Sequence, residues 1–259
     1  MTPTLKQFAL TTYTIRDEMK TPLQMARSLE RVRKIGYPAV QISGIGPIED
    51  AELARMLDGE GLVCCATHEP GQRLLAEPQA VVERLGKLGA QHAAYPYPSG
   101  EPLATVDEVK SLAGRLNAAG RVLHEAGKVL SYHNHHIEFR RVDGKTILDH
   151  LYDETDPRYL RGEIDTYWVQ YGGGDPVKWC GRLAGRLPLL HMKDFAIGED
   201  NQPVFAEVGS GNLDWARIIP AAEAAGCEWY IVEQDICPGD PFDSIAQSLR
   251  FIQEHILCI

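Results

Sequence analysis

No run in this chain comes near the ~20 consecutive apolar residues that a membrane-spanning helix needs. The opening MTPTLKQFAL lacks the basic stretch followed by an apolar one that marks a secretory signal, so the cytoplasm is the expected compartment. Positive charge is also scarce: 26 Lys and Arg against 36 Asp and Glu give a formal net charge of −10. That balance argues against nucleic acid as a partner, because affinity for phosphates is supplied mainly by Lys and Arg displacing counterions. A small neutral polyol meets no such objection. The six cysteines (Cys64, Cys65, Cys180, Cys227, Cys237 and Cys258) show no CxxC spacing, which excludes a zinc ribbon. Several sit in apolar strings such as LVCCAT, so reduced core thiols are expected. There is no Pro/Ser-rich linker, charge block or low-complexity segment, and a single domain over residues 1–259 is the economical reading.

What is present is a rhythm. Eight β-rich runs occur: 8–15, 39–44, 62–68, 92–97, 129–135, 162–169, 187–194 and 229–235. Between them lie segments with apolar spacing of three and four, such as PLQMARSLERVRKIG and VDEVKSLAGRLNAAGRVLHEAG. Gly36, Gly61, Gly89, Gly127 and Gly226 stand where helix C-caps belong, and Asp50, Thr105 and Asp214 lie near predicted starts. A last helix is expected over about residues 243–256. Strands alternating with helices imply parallel pairing and right-handed crossovers, and eight units close into an α/β fold of the (β/α)8 TIM-barrel type. An open doubly wound sheet would announce a glycine-rich turn after its first strand, and TTYTIRDEMK has no glycine.

In such a barrel the functional side chains come from the C-terminal strand ends. Polar residues cluster there: His68-Glu69 after strand three, the segment YHNHHIEF after strand five, Asp165 in strand six, His191, Lys193 and Asp194 after LPLL, and Glu233 in the last strand. Each alone has a bland explanation, as a helix cap, a satisfied core histidine or one half of an ion pair. Together, Glu138, Asp165, His191 and Glu233 bring three carboxylates and one imidazole to one mouth, and a divalent cation resolves their repulsion. An oxygen-rich set with one nitrogen suits Mn²⁺ first, with Mg²⁺, Co²⁺ and Fe²⁺ accepted. Lys193, two residues past His191, shares its strand face and can place an ammonium on a substrate oxygen. His135 suits a proton shuttle, and His68, Tyr132 and Trp168 suit a pocket wall facing the C–H surface of a sugar. The glycines of VGSGN (208–212) fit a plain turn better than a phosphate loop.

The segments YHNHHIEF, GEIDTYWVQYGGGDP, LLHMKDF, EVGSGNLDW and IVEQD resemble the sugar phosphate isomerase/epimerase superfamily, the xylose-isomerase-like TIM barrels that include keto-sugar 3-epimerases and inosose dehydratases. The resemblance runs from about residue 8 to 257. It implies a metal held by Glu, Asp, His and Glu, which fall here on Glu138, Asp165, His191 and Glu233. Many relatives carry the first glutamate inside strand five, where this chain has His133, so His133 is the rival to Glu138. By strand alternation Glu138 reaches the metal only if the chain turns after His135. The remaining histidines of the cluster, His133 among them, would orient ligands and substrate.

The resemblance further implies that Glu138 and Glu233 act as ligand and acid/base on opposite faces of a keto sugar or cyclitol, through a metal-stabilised enediolate. Returning the proton gives an isomerase or epimerase. Expelling a β-leaving group instead gives a lyase, of the inosose dehydratase or 3-keto-glycoside eliminase kind. Family members are often dimers or tetramers. Apurinic endonucleases share the barrel, but the acidic chain lacks the basic groove they need.

Overall fold

The computed structural model describes residues 3–259, so Met1 and Thr2 of the expected domain lie outside the described residues. Eight strands form the barrel: β1 (Phe8–Thr11), β2 (Ala39–Ile42), β3 (Val63–His68), β4 (His92–Tyr95), β5 (Val129–His133), β6 (Arg161–Asp165), β7 (Leu189–Met192) and β8 (Trp229–Val232). They close in the order β1-β8-β7-β6-β5-β4-β3-β2, and every neighbouring pair is parallel. The expected TIM barrel is thus the observed fold. Ten α-helices pack outside it: α1 (Pro22–Ile35), α2 (Asp50–Glu60), α3 (Gly71–Ala76), α4 (Pro78–Lys87), α5 (Val106–Glu125), α6 (Ile147–Asp153), α7 (Thr166–Tyr171), α8 (Pro176–Arg182), α9 (Trp215–Ala224) and α10 (Pro241–Phe251).

The caps follow the sequence. Gly36 ends α1 at φ 119° and Gly61 ends α2 at φ 63°, in the left-handed region where a side chain would be strained. Gly89, Gly127 and Gly226 also have positive φ, ahead of β4, β5 and β8. Thr105 opens α5 with a reciprocal box, its hydroxyl accepting from the Glu108 amide and its own amide donating to the Glu108 carboxylate. Asp214 caps α9, whereas Asp50 is the first residue of α2, one position past its cap. The C-terminal helix runs as α10 and then widens into a π-turn over Ile252–Leu257.

Alternation along the strands sorts the core into two layers. Side chains pointing outward join the helices in one large apolar cluster. Those pointing inward at the lower levels are mostly small, with Ala9, Ala39, Ala66, Leu189 and Ile231 filling the barrel floor. A slip of one residue would exchange the two sets, so register is strongly specified. That register sets Asp165 beside His191, His191 beside Ile231, and His133 beside Glu163. The polar level therefore sits directly on the apolar floor.

Three expectations need correction. β1 stops at Thr11 rather than residue 15, and β6 stops at Asp165, with Thr166–Tyr171 helical. The physical reason is that Asp165 caps α7, its Oδ1 accepting from the Trp168 amide at 2.9 Å, and this local bond outweighs the β propensity of TYWV. Of the cysteines, Cys64, Cys65, Cys180 and Cys227 are buried thiols as expected, but Cys237 is half-buried and Cys258 exposed. Among the described residues no helix is long and apolar enough to cross a membrane.

Two antiparallel hairpins decorate the rim, Arg141–Val142 with Lys145–Thr146 and Asp194–Ile197 with Pro203–Ala206. The second hangs on the buried carboxylate of Asp194. That group accepts from the amides of Phe195, Gly209, Gly211 and Leu213 and from Trp215 Nε1 at 2.8 to 3.3 Å. Gly209 and Gly211 of VGSGN are thereby occupied, and the amides of Val208, Ser210 and Asn212 donate to Ser248 Oγ and to the carbonyls of Glu207 and Phe195, which argues against the phosphate-loop reading.

Candidate active site and metal centre

The C-terminal mouth of the barrel opens into a cleft of about 390 Å³ whose lining includes His68, His133, His135, Lys193, Glu233 and Asp235. At its base Asp165, His191 and Glu233 meet, and His133 completes the group. One ligand atom from each of the four lies within 4.8 Å of all the others. His191 Nδ1 is 2.9 Å from Glu233 Oε2, and His133 Nε2 is 3.9 Å from Asp165 Oδ2. Asp165 divides its labour: Oδ1 caps α7, whereas Oδ2 is buried without a hydrogen-bond partner and faces the cluster. A carboxylate oxygen with no hydrogen bond, 3.6 Å from Lys193 Nζ and beside two imidazoles and a second carboxylate, fits a divalent cation.

Glu138, expected as the fourth ligand, is elsewhere. β5 ends at His133, and a 3₁₀ turn over Ile137–Phe139 folds the chain back. There Glu138 Oε1 accepts from Tyr132 Oη at 2.8 Å and Oε2 from the His135 amide at 2.8 Å, outside the metal cluster. Tyr132 does not wall the pocket either. It faces outward, stacked on Tyr95 with ring centroids 5.6 Å apart, because alternation puts it on the opposite face from His133. Trp168 stands behind the site on α7, 5.3 Å from the His135 ring and 5.0 Å from Lys193 Nζ. His68 lines the cleft as expected.

Burial pushes the Glu138 carboxyl from 4.5 up to about 7, against the pull of Tyr132 and the His135 amide. A folded-state pKa above the unfolded one gives stability that is complete below about 4.5 and is lost as pH rises through about 7. Between those limits the parent protein should lose about 3 kcal/mol relative to Glu138→Gln. Urea unfolding of both proteins from pH 5 to 8 measures this. Parallel pH profiles would mean that the carboxyl is not held protonated.

Lys193 is 1% exposed and lies among carboxylates, its Nζ 3.2 Å from Glu233 Oε2, 3.6 Å from Asp165 Oδ2 and 2.7 Å from Asp235 Oδ1. Burial opposes its charge, but Glu233, Asp165 and Asp235 outweigh burial and hold the ammonium protonated. Burial raises Asp165, while Lys193 and His191 keep Glu233 ionised despite its burial. His191 is likewise disfavoured as a cation by burial, yet Glu163 and Glu233 raise it to about 10. His135 shows the opposite balance. Burial, followed by the neighbouring His133 and Lys193, lowers it to about 2 and keeps it neutral, and its Nδ1 has no partner.

Four polar residues of the site were not anticipated. Asp235 holds Lys193. Glu163 and Gln41 lie one level below that cluster, and Ser43 Oγ is 3.1 Å from His68 Nδ1. The signal for Glu163 and Asp235 was present, because E-I-D and E-Q-D each place two carboxylates on one strand face.

Residues 29–255 match the family model of the xylose isomerase-like TIM barrel. An inosose dehydratase of Geobacillus thermodenitrificans is 28% identical over 171 residues, 60% of this chain and 57% of that protein. The rhizopine catabolism protein MocC of Rhizobium meliloti is 26% identical over 252 residues, 84% of this chain and 76% of that one. The match thus spans little more than half of the Geobacillus relative. Among solved structures, a sugar phosphate isomerase/epimerase from Parabacteroides distasonis superposes with a TM-score of 0.83 at 26% identity, covering 98% of this chain and 95% of the other. An L-ribulose 3-epimerase shares the fold at a TM-score of 0.74 and 16% identity, covering 97% and 94%. With the closed eight-stranded barrel and the strand-end cluster, these findings place the chain in one enzyme superfamily: it belongs to the xylose isomerase-like TIM barrel family.

Proposed function

We propose that the protein is a divalent-metal-dependent lyase acting on a neutral polyhydroxy ketone, an inosose-like cyclitol or a keto sugar. The observation that carries this reading is the replacement of Glu138 by His133 in the cluster, which leaves the neutral His135 at the cleft wall where a second carboxylate was expected. Epimerisation needs acid/base groups on both faces of the reacting carbon. Elimination needs only one base, which can pass its proton to the departing oxygen.

Glu233, Asp165, His191 and His133 would hold the cation. Two imidazoles and two carboxylates favour Mn²⁺, Fe²⁺, Co²⁺ or Zn²⁺ over Mg²⁺. When bound, the cation polarises the substrate carbonyl and so acidifies the adjacent C–H. His135 accepts that proton while the C–H electron pair becomes the C=C bond of an enediolate. A lone pair on the enediolate oxygen then re-forms the carbonyl, the C=C pair moves to the bond between the α- and β-carbons, and the Cβ–O pair leaves with the β-oxygen, which the His135 imidazolium protonates to water or to the alcohol of a glycoside. Burial keeps His135 neutral, so its imidazole has a lone pair free to accept the proton. Lys193 donates to a substrate oxygen and steadies the developing negative charge.

The cleft also speaks for a substrate without phosphate. Lys193 is the only Lys or Arg among its described lining residues, and three carboxylates already surround it. A second reading, an isomerase or epimerase, is favoured by the likeness to the Parabacteroides protein.

Incubating Mn²⁺-loaded protein with inososes and free keto sugars in D2O separates the two. A product lighter by one water, or a released alcohol, supports the lyase. An isomer of unchanged heavy-atom composition carrying deuterium next to its carbonyl would replace that reading with the second.

A further inference from the structure

Glu163 is fully buried, lines no part of the cleft and has no role in the chemistry above. A buried carboxylate is costly unless its lone pairs are satisfied, so its partners explain its presence. Gln41 Nε2 donates to Glu163 Oε1 at 2.6 Å, and His68 Nε2 lies 2.7 Å from Glu163 Oε2. His133 Nδ1 approaches the same Oε2 at 3.1 Å, off the line of an ideal hydrogen bond. Gln41 Oε1 is 2.8 Å from His191 Nε2, which is itself 3.5 Å from Glu163 Oε1.

The proton positions follow from the inventory of donors and acceptors. Both oxygens of Glu163 face nitrogens, Gln41 Nε2 at 2.6 Å and His68 Nε2 at 2.7 Å, and a carboxylate so placed accepts from both. Gln41 must therefore turn its NH2 toward Glu163 and its oxygen toward His191. That oxygen requires an N–H at His191 Nε2, so the nitrogen this ring can offer a cation is Nδ1, in exchange for the proton it shares with Glu233. Glu163 in turn asks for an N–H at His133 Nδ1, leaving the Nε2 lone pair on the side of Asp165. With a cation in place of the proton that His191 shares with Glu233, both lone pairs would point into one space.

Resting on the metal-centre reading above, we propose that Glu163 and Gln41 are positioning residues that fix which nitrogens of His133 and His191 carry protons. The site then closes on a single cation through His133 Nε2 and His191 Nδ1. The deeper group of His68, His133, Glu163 and His191, whose ligand atoms also lie within 4.8 Å of one another, takes no ion of its own. Its atoms already face one another, Gln41 and Ser43 at 2.6 to 3.1 Å.

The test is titration of Mn²⁺ into metal-free parent, Glu163→Gln and Gln41→Met proteins, with free Mn²⁺ followed by electron paramagnetic resonance. It is paired with ring-¹⁵N spectra of the Zn²⁺-loaded parent, which need no variant to fold. Support consists of one Mn²⁺ per parent chain, dissociation constants raised about 10- to 100-fold in Glu163→Gln and less in Gln41→Met, and N–H at His133 Nδ1 and His191 Nε2. Variants that are less thermostable but bind Mn²⁺ as tightly as the parent would overturn the positioning role and leave the metal centre standing. Two equivalents of Mn²⁺, or the opposite tautomer at either ring, would overturn the single-cation arrangement. A parent that binds no Mn²⁺, Fe²⁺, Co²⁺ or Zn²⁺ would overturn the metal-centre reading itself.

Discussion

His191→Ala and Glu233→Gln should each emerge from purification with little or no divalent metal and lose at least ~10³-fold in kcat/KM. Each substitution would remove one of the four proposed ligands and leave three. His191 and Glu233 are 0% and 4% exposed, so water cannot readily replace the missing ligand. Glu233→Gln is the sharper variant. The amide keeps the volume but removes a charge, and His191 Nδ1 and Lys193 Nζ would then face a neutral group where the carboxylate oxygen lies 2.9 and 3.2 Å away. Metal analysis by mass spectrometry alongside initial rates gives the result. A variant that retains one equivalent and full activity would remove Glu233 from both the metal and the mechanism.

The parts of this site that sequence alone could reveal are those that obey strand alternation up to a strand end. Asp165, His191 and Lys193 could be placed together because Asp165 ends β6 and alternation puts His191 and Lys193 on one face at the end of β7. Glu138 was misplaced because β5 stops at His133, five residues earlier, and alternation says nothing about a 3₁₀ turn. Trp168 was assigned to a strand because Thr, Tyr, Trp and Val favour strands. The opposing signal was Asp165 itself, whose side chain caps the helix that follows.

Gln41 and Glu163 escaped notice for a different reason. Attention to strand ends overlooks a polar residue in mid-strand between apolar neighbours, such as Val40-Gln41-Ile42 or Gly162-Glu163-Ile164. A charged group there has no solvent to face and so needs partners from other strands. Those partners, β3's His68 and β5's His133, are distant in sequence and become neighbours only once the barrel closes.

Lys193→Met should reverse the usual relation between the metal-free and metal-loaded forms. In the parent, the ammonium stands among Asp165, Glu233 and Asp235 and neutralises part of their charge. Methionine retains most of the packing against Trp168 and Phe205, whose ring centroids lie 5.0 and 5.2 Å from Nζ, but deprives Asp165 and Asp235 of their ammonium and leaves Glu233 with His191 as its counter-charge. Removing one partner of a buried ionic group costs about 3–5 kcal/mol. The metal-free variant should accordingly melt roughly 10 °C below the parent. A divalent cation supplies the missing positive charge, so Mn²⁺ should raise the melting temperature of Lys193→Met by more than it raises that of the parent. Turnover should remain depressed by about 10²- to 10³-fold even at saturating metal, because the donor to the substrate oxygen is gone. Differential scanning calorimetry with and without Mn²⁺, together with kcat at saturating metal, separates the two effects. Equal stabilisation of both proteins by Mn²⁺ would show that the ammonium and the cation do not answer the same cluster of charge, and full turnover in the variant would remove Lys193 from the reaction.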